Sequence, residues 1–107
     1  MNAIEKLQHW YLSQCNDNWE HSYGVTIDTL DNPGWRVSID LTDTKLKSAA
    51  FTKVSYGIED DSKTRDTEWL VCDKKQNQFI GHGGPMKLEE IISVFLSWAE
   101  QYAKEER

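Results

Sequence analysis

Four side chains that can ligate metals or act as nucleophiles are spread along the chain: Cys15, His21, Cys72 and His82. Thiolate and imidazole are the usual ligands of zinc, so a metal site is the first chemistry to test. The spacing does not favour one. No CxxC or HxxxH pair is present, and structural zinc sites usually draw a ligand pair from one tight turn. A Cys–His nucleophile is the second chemistry, with Glu20 beside His21 as an orienting group. Nothing around either cysteine marks a basic pocket that would lower its pKa, so both thiols read as small hydrophobes. The third is the run Gly81-His82-Gly83-Gly84-Pro85, whose glycine content ahead of a helix suits an anion cradle. It matches neither phosphate-loop pattern, and Glu89 and Glu90 at the helix start repel phosphate. It reads as a strand end and a sharp turn into a helix. A small zinc- or thiol-dependent enzyme using Cys15, His21, Cys72 and His82 therefore stands as the alternative reading.

The elements that must position these residues are legible from periodicity. Residues 2–14 predict a helix, with Ile4, Leu7 and Tyr11 on one face, Ala3 and Trp10 widening it, and Asn2 as its cap. Residues 22–30 and 35–41 alternate apolar and polar positions, the period of half-buried strands. Asp31-Asn32-Pro33-Gly34 between them predicts a turn, with Pro33 fixing φ and Gly34 accepting a positive φ. Further strands are expected at Phe51–Ile58, around Glu68–Asp73 and at Phe79–Gly81, with an acidic loop, EDDSKTRD, in their midst. The last helix, roughly Lys87–Lys104, carries Leu88, Ile91, Ile92, Phe95, Ala99 and Tyr102 on one stripe, with Trp98 at its edge. The expected class is α+β. A single antiparallel sheet of four to five strands, a meander, carries an N-terminal and a C-terminal helix on one face; helices on both faces are the alternative.

At 107 residues, the chain has the size of one domain, 1–107, with one core. Five Trp, four Tyr and three Phe offset a modest hydrophobic content of 38%. Twelve basic against eighteen acidic residues give a formal charge of −6. That balance argues against gripping a nucleic-acid backbone and suits steering toward a basic protein. The acids concentrate in residues 16–43 and 59–68, whereas residues 45–58 carry Lys45, Lys47 and Lys53 before any acid. Two cysteines make no disulfide framework, and no signal-like or membrane-length apolar run occurs, so a cytoplasmic protein with free thiols and no cofactor is expected.

Several ordered blocks carry a family resemblance: WYLSQCNDNWEH, GVTIDTLDNPGWRVSIDL, WLVC, FIGHGGP and LEEIISVFLSW. Together they resemble the immunity protein 53 family, which partners secreted bacterial polymorphic toxins. The resemblance implies a non-enzymatic protein that binds and neutralises a cognate toxin, and it supplies no catalytic residues. Residues 43–68 follow no motif of that pattern. The expected partner is a basic toxin, a nuclease among the candidates, and the expected state is a monomer or weak homodimer without membrane or nucleic-acid partners.

Charge and alternation nominate the binding residues. Asp28 and Asp40 fall on the polar phase of adjacent strands and can share the sheet face turned away from the helices. Glu59, Asp60 and Asp61 end the third strand and can extend that surface where this strand neighbours the hairpin, with Arg36 its only base. Trp19 and Glu20, near the first loop, form the second candidate surface, because Trp is enriched at interface hot spots.

Overall fold

The computed structural model describes residues 1–31, 33–58 and 68–105. Helix α1 (Ala3–Gln14) starts on a reciprocal capping box: the Asn2 side chain accepts from Glu5 N–H at 2.9 Å, and Glu5 accepts from Asn2 N–H at 3.2 Å. A one-turn helix α2 (Trp19–Ser22) follows, then strands β1 (Val25–Leu30), β2 (Gly34–Asp40), β3 (Val54–Tyr56), β4 (Leu70–Lys75) and β5 (Gln78–Gly83), and helix α3 (Leu88–Glu105). The expected α+β class holds: one antiparallel five-stranded sheet with an N-terminal and a C-terminal helix, both packed on one face.

The strand order is β1-β2-β5-β4-β3. It departs from an uninterrupted meander. After the β1–β2 hairpin, the segment 41–53 crosses to the far edge, and β3, β4 and β5 return as a second meander that pairs with β2. Leu41, Leu46 and Ala49 bury that crossing segment against the core. Side-chain donors fix its carbonyls: Lys74 Nζ reaches Lys47 O and Ala49 O, each at 2.7 Å, and Trp98 Nε1 reaches Ala50 O at 2.9 Å. These partners are distant in sequence, so no local periodicity reports them.

Period-2 alternation settles the faces. Val37 and Ile39 of β2, Phe79 and Gly81 of β5, and Leu70 and Cys72 of β4 point to one side. There they meet Ile91, Ile92, Phe95 and Trp98 of α3 and Ala3 and Leu7 of α1. Rings bind the layers edge-to-face, with Phe79–Phe95 at 5.2 Å, Trp10–Phe95 at 4.9 Å and Phe51–Trp98 at 5.0 Å. Gly81 allows α3 to sit this close, since a Cβ there would lie 2.5 Å from Ile91 Cγ2.

Three local expectations change. In α1 the buried stripe is Ala3, Leu7 and half-buried Trp10, while Ile4 and Tyr11 stay exposed, because α3 takes only one side of the helix. Gly34 does not have a positive φ; it opens β2, and its missing Cβ lets Gly83 O pass beside it. The third strand contracts from Phe51–Ile58 to Val54–Tyr56, after which Gly57 turns with φ 78. The EDDSKTRD loop, including Glu59, Asp60 and Asp61, and also Asn32 lie outside the described residues.

Candidate functional site

The sheet face opposite the helices is built row by row from the strand register. Asp28 sits across from Arg36, which sits across from His82, which sits across from Val71. The neighbouring row runs Thr26, Ser38, Ile80 and Asp73, and the next aligns Asp40, Gln78 and Lys75. Asp28 and Asp40 therefore do share this face, on adjacent strands. Arg36 is not its sole base. The β4–β5 hairpin, turned through Gln76 at φ 55, sets β4 so that Val71, Asp73 and Lys75 point the same way. The surface is a mosaic of Asp28, Asp40 and Asp73 with Arg36, Lys75 and His82. Burial pushes the His82 pKa down, and the neighbouring positive charges of Arg36 and then Lys75 push it further. Both effects favour the neutral imidazole, which presents one donor and one acceptor.

The two aspartates differ in freedom. Asp28 is exposed. Asp40 is half-buried, and its carboxylate accepts Gly24 N–H at 3.0 Å and Gln78 Nε2 at 2.9 Å. It closes the end of β1 against β2 and β5, a structural duty that leaves less of it for a partner.

The loop around α2 uses its polar groups internally too. Glu20 accepts Asn16 N–H at 2.9 Å and Asp17 N–H at 2.8 Å. Its own backbone N–H, followed by those of Asn16 and Asp17, holds its carboxyl below the usual range. Asn16 Oδ1 in turn accepts Trp19 N–H at 2.9 Å. Trp19 is only 3% exposed; its ring packs among Trp10, Tyr11 and Tyr23, and Nε1 donates to Thr42 O at 2.8 Å. The indole is thus a pin between this loop and residue 42 rather than a ring offered to solvent. Asn and Asp at 16–18 signalled a turn in the sequence, but the one-turn helix and the Trp19–Thr42 contact carried no local mark.

The four thiol and imidazole groups do not converge. Cys72 lies under α3 on the helix-covered face, whereas His82 projects from the opposite face of the neighbouring strand. Burial, followed by the charge of Glu90, pushes the Cys72 thiol up to about 12, the wrong direction for a nucleophile. Cys15 caps α1, its Sγ donating to Tyr11 O at 3.4 Å. Both thiols are free. Among the described residues, no group of three or more His, Cys, Asp or Glu could hold a metal ion. The glycine-rich run ends β5 and turns into α3: Gly84 N–H donates to Trp69 O at 3.1 Å, and Trp35 Nε1 donates to Pro85 O at 2.9 Å.

A family model described as Immunity protein 53 matches residues 4–100, from α1 through most of α3. No curated protein and no solved structure matches the chain.

Proposed function

The chain belongs to the immunity protein 53 family, and from that premise we propose that it neutralises its cognate toxin by forming a stoichiometric complex in the producing cell's cytoplasm. The observation that carries the reading is the match over residues 4–100. The geometry is in keeping with binding rather than turnover. Cys72 is sealed beneath α3, and Glu20 and Asp40 are occupied by backbone and side-chain donors. What the protein offers outward is a sheet face with Asp28, Arg36, His82 and Lys75 in fixed register. On this reading the mosaic supplies specificity, because each charge must meet its opposite, and the net charge of −6 draws in a basic toxin such as a nuclease.

The test is co-expression with the toxin encoded beside this protein, followed by titration of the purified pair. Growth should be restored, and a complex of fixed ratio should form. A toxin that stays lethal and shows no complex would overturn the proposal. Asp28→Lys refines the surface: it should slow association and weaken its salt dependence while the melting temperature stays put. Association at the wild-type rate would move the interface off this face.

A further inference from the structure

We propose that β1 is a self-pairing edge, through which two copies of this chain join into one continuous antiparallel sheet. β1 ends the strand order, and no described strand pairs with its outer side. Asp40 N–H donates to Gly24 O at 3.0 Å, so even-numbered residues here turn their backbone groups toward β2. By alternation, Val25, Ile27 and Thr29 point theirs outward. Natural edges are usually guarded by charge, proline or brevity. The opposite edge, β3, has only three residues and follows Lys53, but β1 has six, no lysine or proline, and one charge, Asp28, which lies on the face away from Val25 and Ile27.

The side chains beside this edge are apolar. Val25 and Ile27 form the floor of a groove of about 390 Å³ whose wall is Ile4, Leu7, Gln8 and Tyr11 of α1. Ile4, Gln8 and Leu12 are spaced at i, i+4 and i+8, with Tyr11 beside them, on the side of α1 that α3 leaves uncovered. Ile4 is 48% exposed and Leu12 66%. An incoming strand paired to Val25, Ile27 and Thr29 sends its own in-register side chains into this groove.

A second copy supplies such a strand. A two-fold axis through Ile27 places Ile27 against its counterpart, Val25 against Thr29, and Thr26 against Asp28. Each outward residue then exchanges both backbone bonds with its partner. No like charges face each other, and the threonine hydroxyl meets the carboxylate. Centring the axis on Asp28 would instead oppose two carboxylates. The same rotation brings the two exposed α1 stripes together above the new strand pair. This pairing leaves the mosaic face of the sheet open except at Asp28, whose carboxylate meets Thr26 of the second copy, so Ile27→Lys, on the helix-covered face, is the change that separates it from toxin binding.

The experiment is sedimentation and light scattering of the full chain from about 5 to about 500 µM, a range that spans weak self-association. The mass should rise from 12.4 kDa toward twice that value. Ile27→Lys sets two ammonium groups against each other and should raise the dissociation constant by about tenfold or more. Ser55→Lys, on the opposite edge, should leave it unchanged. Amide exchange of the wild-type protein provides a reading that needs no variant. Val25, Ile27 and Thr29 should gain protection with concentration, while Thr26 and Asp28, bonded to β2, are protected throughout. A constant mass of 12.4 kDa, a dimer that survives Ile27→Lys, or concentration-independent exchange at these three amides would each overturn the proposal.

Discussion

Replacing Trp19 separates a buried pin from a partner anchor. Truncation to Ala removes an indole that is 3% exposed and packs against Trp10 at 6.0 Å, Tyr11 at 6.1 Å and Tyr23 at 6.2 Å. It also strands Thr42 O, which accepts from Nε1 at 2.8 Å. Trp→Ala in a core costs about 3–5 kcal/mol, a large share of the ~5–15 kcal/mol that holds a domain together. For a chain of this length, each kcal/mol moves the melting temperature by ~4 °C, so a fall of about 12–20 °C is expected. Trp19→Phe keeps a ring but loses the donor, and should cost roughly 1–2 kcal/mol. Urea unfolding followed by fluorescence and far-UV circular dichroism measures both. The midpoints should drop in that order with the slope unchanged, which marks lost native stability rather than a changed denatured state. Loss of toxin protection in Trp19→Ala would then follow from unfolding. A loss below ~1 kcal/mol, paired with weakened toxin binding, would refute this reasoning and restore Trp19 as an anchor.

Three further outcomes follow from the same structure. Gly81→Ala places a methyl 2.5 Å from Ile91 Cγ2 and should cost about 1–3 kcal/mol by overpacking. Ile91→Leu, which lacks that branch, should recover part of the loss in a double-mutant cycle, and strict additivity of the two changes would contradict the close approach. Native alkylation should modify half-buried Cys15 alone, with Cys72 reacting only as fast as the protein unfolds; equal adducts on both by mass spectrometry would mean that α3 does not seal Cys72. Glu20, whose carboxyl is held low, contributes stability above its unfolded value of 4.5 and loses it as pH falls through the folded value. The melting-temperature gap between wild type and Glu20→Gln should therefore be open at neutral pH and close in acid, and a gap that does not change with pH would contradict the carboxylate's role.

Legibility followed the range of the interaction. The α1 cap, the β1–β2 hairpin and the α3 stripe depend on neighbours three or four residues away or on strict alternation, and each stood out in the sequence. The order of the strands did not. It depends on the 41–53 crossing, held by Lys74 and Trp98 from more than twenty residues away. Faces were legible within a strand and across the short β1–β2 turn but not across the long connections, which is why Asp28 and Asp40 could be placed together while Asp73 and Lys75 went unnoticed beside them. Residue type alone misled at Trp19 and Asp40. A tryptophan in a polar loop and an aspartate on the outward phase both look like contacts for a partner, and both are tied down by atoms far along the chain.

That division bears on how such a protein can change its partner. The groups that hold the fold are Trp19, Asp40, Gly81 and the α3 stripe, and altering any of them disturbs packing or strands a buried bond. Asp28 and Lys75 project from the sheet without taking part in the core between sheet and helices. Surface substitutions away from such features usually shift stability by less than ~0.5 kcal/mol. Reversal of one charge on a complementary surface is felt instead in the association rate and in the rejection of wrong partners. If the open face is where the toxin docks, specificity can therefore drift at Asp28 and Lys75 while the rings between the sheet and α3 stay fixed.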